Sequence, residues 1–74
     1  MKAREVNAAI ERRGGLRIRQ VGSHRRYRAS YPRSDGTIGH VDTTVAQHAA
    51  DIPIGTLRKI ETDLEPAFGK GWLR

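Results

Sequence analysis

The feature that most constrains the fold of this chain is a pair of alternating segments on either side of Gly22-Ser23. Apolar and polar residues alternate over residues 16–21 and again over residues 24–31, a pattern typical of strands with one buried face. Glycine in the first position of a two-residue loop suits a type II′ turn, which is a preferred connection between antiparallel strands. We therefore predict a β-hairpin, with Leu16 and Ile18 on one face of its first strand.

The two faces of the predicted hairpin differ in their chemistry. Tyr27, Ala29 and Tyr31 share one face of the return strand, and we assign that face to the core. The other face of the return strand carries His24, Arg26 and Arg28, whereas Arg17 and Arg19 lie opposite the apolar residues of the first strand. We expect the hairpin to present cations on a face that points away from the core.

Further patterns predict the elements on either side of the hairpin. Apolar residues at helical spacing indicate a helix over residues 2–13, which the Gly14-Gly15 pair would end. Residues 37–45 indicate a third strand, in which Gly39 either weakens the pairing or marks a bulge.

A second helix is predicted toward the end of the chain, with Asp51 as its N-cap and with Pro66 either ending it or starting a new turn. The residues spaced to form its buried stripe are Ile54, Leu57, Ile60 and Leu64. Phe68 and Trp72 follow as a short apolar tail, which we expect to fold back onto the core.

These elements together give the order α-β-β-β-α and the α+β class. A three-stranded antiparallel sheet with two helices on one face would satisfy every apolar stripe. With 74 residues the chain is expected to form one domain, 1–74, with a small core and a shallow surface site.

Positive charge is concentrated around the hairpin. The chain has 14 Lys+Arg against 8 Asp+Glu, and residues 12–33 contain eight arginines and no acid. Because a guanidinium group can grip two phosphate oxygens at once, we expect a polyanionic partner, RNA or DNA before an acidic protein. A solvated charged surface without any partner is the simpler alternative.

The composition also disfavours several classes of protein. The chain has no cysteines, which excludes disulfides and thiolate metal sites and favours a cytoplasmic protein. Its longest apolar run is residues 8–10, so we expect no membrane-spanning helix and no signal peptide. His24, His40 and His48 match no common spacing of metal ligands, and we expect neither a metal nor a cofactor.

His24 is the candidate catalytic residue. Imidazole exchanges protons near neutral pH, and the arginines beside it would hold a phosphodiester. His24 would then take the proton of a ribose 2′-hydroxyl or give a proton to the leaving 5′-oxygen. An incidental surface histidine at a turn is the alternative that the spacing leaves open.

Two motifs follow one another along the chain. The sequence Arg-Gln-Val-Gly-Ser-His occupies residues 19–24 and precedes the aromatic Tyr27. It follows a predicted helix whose first residues, 2–6, are Lys-Ala-Arg-Glu-Val. The sequence Gly-Thr-Leu-Arg-Lys-Ile occupies residues 55–60, after His48 and an Asp-Ile-Pro-Ile segment. In these motifs and their separation the chain resembles the HicA-type mRNA interferase toxins of bacterial type II toxin–antitoxin systems. The resemblance covers residues 2–64 as a core and leaves a tail, 65–74.

The resemblance implies a fold like that of double-stranded-RNA-binding domains and cleavage of mRNA by the histidine of the Gly-Ser-His motif, here His24. It also implies a cognate HicB-type antitoxin that covers His24. The chain departs from the common pattern at Arg25, where a second histidine is frequent, and at Ala46, where proline is usual.

The resulting hypothesis is a metal-independent endoribonuclease that is the toxin of a toxin–antitoxin pair. Its assigned residues are His24 for catalysis, Arg17, Arg19, Arg25, Arg26 and Arg28 for RNA binding, and Gly22 and Ser23 for the shape of the turn. One alternative is a non-catalytic double-stranded-RNA-binding module, which would bind duplexes without cleaving them. Another is a small interaction domain whose basic face binds an acidic protein.

Overall fold

A computed structural model of the chain describes residues 1–74. The elements are, in chain order, α1 (Ala3–Arg12), β1 (Leu16–Val21), β2 (His24–Pro32), β3 (Ile38–Ala46) and α2 (Ile54–Phe68). The strands form one antiparallel sheet in the order β1-β2-β3. The predicted order α-β-β-β-α and the α+β class are therefore confirmed. Neither helix is both long and apolar enough to cross a lipid bilayer.

The core lies between the two helices and one face of the sheet. Tyr27 and Val45 enter it from the strands, whereas Ile10, Ile60 and Leu64 enter it from the helices, and all five are fully buried. The helices pack over β2 and β3, and every residue of β1 is exposed. The burial of Tyr27 confirms the face of β2 that the alternation assigns to the core.

The segment after α2 folds back onto the core, as predicted. The Trp72 side chain is only 6% exposed, and its Nε1–H donates to the carbonyl oxygen of Glu61 at 2.8 Å. Its ring meets that of Phe68 edge-on, with 5.1 Å between the ring centroids. The guanidinium carbon of Arg13, just after α1, lies 5.6 Å from the centroid of the Trp72 ring. The tail therefore joins the end of α1 to α2.

The predicted face pattern of β1 is wrong. Arg17 lies opposite Tyr27, and Arg19 lies opposite Arg26, the neighbour of Tyr27. Two residues of β1 therefore span one step of β2, and Ile18 is the extra residue. Such a β-bulge breaks the alternation of side chains. Leu16 and Ile18 are 67% and 42% exposed, because no helix covers this edge of the sheet. Arg17 consequently shares a face with Tyr27, on the side of the helices.

Gly39 has a packing role and marks no bulge. The register between β2 and β3 is continuous through this position, which pairs with Tyr31. A Cβ atom at residue 39 would overlap the Tyr31 ring. Glycine is therefore needed here so that the aromatic ring can lie flat against the backbone of β3.

Helix α2 differs from the prediction at both ends. It begins at Ile54 with Pro53 as its N-cap, whereas the carboxylate of Asp51 lies 3.6 Å from Nζ of Lys2. Ile54 is exposed and so does not join the buried stripe. Pro66 lies inside the last turn of the helix, which continues past it to Phe68 and so does not end at the proline.

Candidate active site on the open face of the sheet

The surface of the sheet that points away from both helices carries the candidate catalytic residue, and we refer to it as the open face. Directly opposed residues of an antiparallel pair have their side chains on the same face. On the open face His24 lies opposite Val21 and Ala46, Arg26 lies opposite Arg19 and Thr44, and Arg28 lies opposite Leu16 and Asp42. The register therefore brings His24 to the same face as three of the predicted arginines.

His24 directly follows the hairpin turn, and its side chain is exposed. Gly22 has a φ of 58° and Ser23 a negative φ, in agreement with the predicted type II′ turn. Nε2 of Gln20 donates to the carbonyl oxygen of Gly22 at 3.1 Å. The backbone N–H of Gln47 donates to the carbonyl oxygen of Ser23 at 2.6 Å. The imidazole thus stands on a fixed backbone and is open to a molecule bound on the open face.

Asp42 is a residue of the open face that the sequence analysis missed. Its carboxylate accepts hydrogen bonds from Nε of Arg28 at 2.8 Å and from Nη2 of Arg28 at 3.0 Å. Nη2 of Arg26 lies 3.6 Å from the same carboxylate. The hydrogen bonds from Arg28 lower the pKa of Asp42 and raise the pKa of Arg28. Asp42 is therefore ionised at neutral pH and offsets one of the two positive charges beside it.

Arg17 and Arg25 lie on the other face of the sheet, where the helices pack. Nε of Arg25 donates to Oε1 of Gln20 at 2.8 Å, and its Nη1 lies 3.4 Å from the hydroxyl oxygen of Tyr27. That hydroxyl donates to Oε2 of Glu11 in α1 at 2.5 Å. Burial and then the bond to Glu11 raise the pKa of Tyr27, so its hydroxyl stays protonated. Arg17 reaches the same oxygen of Gln20 at 3.4 Å.

The other two histidines occupy different ends of β3. Nδ1 of His40 lies 2.9 Å from the hydroxyl oxygen of Ser30, at the end of the sheet away from the hairpin turn. His48 lies just beyond the end of β3 and lines a cavity of about 380 Å³ together with Ile52 and Thr56. Nowhere in the fold do three His, Asp or Glu side chains come together in a way that could hold a metal ion.

A comparison with family models adds an independent observation. The model of a family described as the HicA toxin of bacterial toxin–antitoxin systems matches residues 3–65 of the 74 residues. The matched range contains α1, the whole sheet and most of α2, and hence the open face. It ends at residue 65 and so leaves out Trp72. No curated protein and no solved structure matches the chain.

Proposed function

Since this chain belongs to the HicA toxin family of bacterial toxin–antitoxin systems, we propose that it is an endoribonuclease that cleaves mRNA in the cytoplasm without a metal. Membership of the family makes the chain a toxin and implies an antitoxin as its partner. The observation that carries the proposed activity is the exposed imidazole of His24, fixed beside a turn on a face that it shares with Arg19, Arg26 and Arg28.

The proposed reaction uses a nucleophile that RNA itself contains. The 2′-oxygen of a ribose forms a bond to the neighbouring phosphorus, while the bond from phosphorus to the 5′-oxygen of the next nucleotide breaks. His24 takes the proton of the 2′-hydroxyl or supplies a proton to the leaving 5′-oxygen. The products are a 2′,3′-cyclic phosphate and a 5′-hydroxyl.

Arginines of the open face are the proposed contacts to phosphate. Their guanidinium groups would stabilise the charge that grows on the non-bridging phosphate oxygens in the transition state. Arg19 forms no salt bridge, whereas Arg26 and Arg28 both pair with Asp42. On binding RNA, these two arginines would replace part of their contact with Asp42 by contact with the phosphate. Arg17 and Arg25 face the helices, so we do not place them at the reacting phosphate.

An antitoxin of the HicB type is the proposed protein partner. The chain carries a net charge of +6, and a segment with acidic side chains would complement the arginines of the open face. Such a segment would cover His24 and compete with RNA for the same cations.

A change in the RNA tests the proposed reaction without altering the protein. Purified protein is expected to cleave unmodified RNA in the presence of EDTA and to leave the same RNA intact when every ribose is 2′-O-methylated. The reason is that methylation removes the nucleophile while the phosphates stay in place. Electrophoresis of the products, with analysis of their ends, checks the expected cyclic phosphate. Cleavage of the methylated RNA, or complete inhibition of the wild-type protein by EDTA, would contradict the proposal.

We expect Asp42→Asn to tighten RNA binding about fivefold. The substitution removes a negative charge next to Arg26 and Arg28, and one charge at about 4 Å is worth about 1 kcal/mol in water. Fluorescence anisotropy with labelled RNA measures the affinity. The proteins with and without Asp42→Asn both also carry His24→Ala, so that the RNA is not cleaved during the measurement. Asp35→Asn is the matched control, because it changes the net charge equally in the turn at the other end of the sheet. An equal gain for both variants would mean that the open face is not where RNA binds.

A further inference from the structure

The turn that presents His24 is held at both of its carbonyl oxygens. Gln20 of β1 bonds the carbonyl of Gly22 through its side chain, and Gln47 bonds the carbonyl of Ser23 through its backbone N–H. Exposed turns are among the most mobile parts of a fold. These two bonds therefore restrain a segment that packing does not restrain, since no helix covers β1.

Gln20 is itself connected to α1 through a chain of side chains. Its Oε1 accepts a hydrogen bond from Arg25, which contacts the hydroxyl group of the fully buried Tyr27. Tyr27 in turn donates to Glu11 of α1. The amide oxygen of Gln20 is thus fixed from the side of the core, and this orients its N–H group toward Gly22.

Gln47 has a separate connection to α1. Nδ2 of Asn7 donates to Oε1 of Gln47 at 2.7 Å, and Nε2 of Gln47 donates back to Oδ1 of Asn7 at 3.1 Å. Asn7 is buried, so it provides a firm anchor. Both sides of the turn are consequently fixed to the same helix, although by different residues.

We propose that Gln20 is a positioning residue for His24, and that Arg25 supports Gln20 instead of contacting RNA. The inference rests on the proposed ribonuclease function. Gln20 lies on the face of the sheet opposite to the open face but holds the turn, and the turn fixes the place of the imidazole on the open face. A catalytic group displaced by about 1 Å can lose rate by about 100-fold, so a loosened turn lowers the rate of the chemical step.

The first test compares Gln20→Met with wild type. Methionine keeps the length of the side chain but has no N–H group for Gly22 and no amide oxygen for Arg25. We expect kcat to fall about tenfold while KM stays within about twofold. Ser30→Ala is the control, because it removes an exposed hydrogen bond from β2 at the end of the sheet away from the hairpin turn. This variant is expected to keep the wild-type kcat. Thermal unfolding verifies that both variants are folded.

A second test separates support of Gln20 from direct binding of RNA by Arg25. Arg25→Met is expected to lower kcat, as Gln20→Met does. The kcat of the double variant is expected to be no lower than that of Gln20→Met alone. If Arg25 contacted phosphate, its substitution would raise KM and the two effects would add. Additive effects of that kind would overturn the role proposed for Arg25.

The mobility of the turn provides a readout that does not depend on activity. The backbone N–H of Gln47 is bonded to the turn, and its hydrogen exchange, like that of His24, is expected to be faster in Gln20→Met than in wild type. Exchange at both amides is expected to be unchanged in Ser30→Ala. A wild-type protein that does not cleave RNA would reject the proposed function. An active wild type with an equally active Gln20→Met variant would overturn only the positioning role.

Discussion

Replacing His24 with alanine is expected to lower the rate of RNA cleavage at least about 100-fold, the usual loss when a general acid or base is removed. The imidazole is exposed, so its removal opens no cavity in the core. The variant should therefore unfold at the wild-type temperature. Cleavage of labelled RNA at saturating protein in the presence of EDTA measures the loss, and growth of cells that express the toxin without antitoxin measures its consequence.

His40→Ala is the matched control for this experiment. His40 is an exposed histidine of the same sheet, at the end away from the hairpin turn, and its variant is expected to cleave RNA at the wild-type rate. A His24→Ala protein that cleaves and remains toxic like wild type would show that the catalytic residue lies elsewhere. Duplex affinity with no cleavage by either the variant or the wild type would instead favour a non-catalytic RNA-binding module.

Replacing Trp72 with alanine is expected to reduce the free energy of unfolding by about 3–5 kcal/mol, as for other large buried aromatic residues. The change leaves a cavity next to Phe68 and removes the hydrogen bond to the carbonyl oxygen of Glu61. Folded domains are stable by only about 5–15 kcal/mol, so much of the protein is expected to unfold at 37 °C. Urea unfolding followed by circular dichroism measures the change.

Lys70→Ala is the control for the tail, because Lys70 is exposed and its removal is expected to change the free energy of unfolding by less than about 0.5 kcal/mol. Wild-type stability of Trp72→Ala would mean that the tail does not belong to the core in solution. The prediction is informative because the family match ends at residue 65. In this chain, a segment outside the matched range supplies one of the buried core residues.

The order of the elements could be predicted because each has a local signal. Gly22 specifies the hairpin turn, Gly14 ends the first helix, and the alternation around Tyr27 selects the face of β2 that becomes buried. These signals depend on residues close in the sequence. The family motif around His24 added the expectation about chemistry, which spacing by itself does not provide.

The details that escaped prediction depend on how the elements pair and pack in the fold. Asp42 lies beside Arg28 only because of the register between β2 and β3, so an apparently acid-free segment meets a carboxylate in the fold. The bulge at Ile18 turns Arg17 toward the helices, although the sequence of β1 alternates regularly. Asp51 pairs with Lys2 at the start of the chain instead of capping α2. Two of these differences are contacts between residues distant in the sequence, and the third is the register of a hairpin. The local pattern of residues encodes neither.

The bulge at Ile18 also bears on solubility. A free edge strand offers unpaired N–H and C=O groups to which a strand of another molecule can add, and β1 is such an edge with exposed apolar side chains. The extra residue interrupts the regular ladder, and Arg17 and Arg19 on either side of it repel the same strand in a second copy. We therefore expect the bulge to disfavour edge-to-edge pairing of this sheet with that of a second copy.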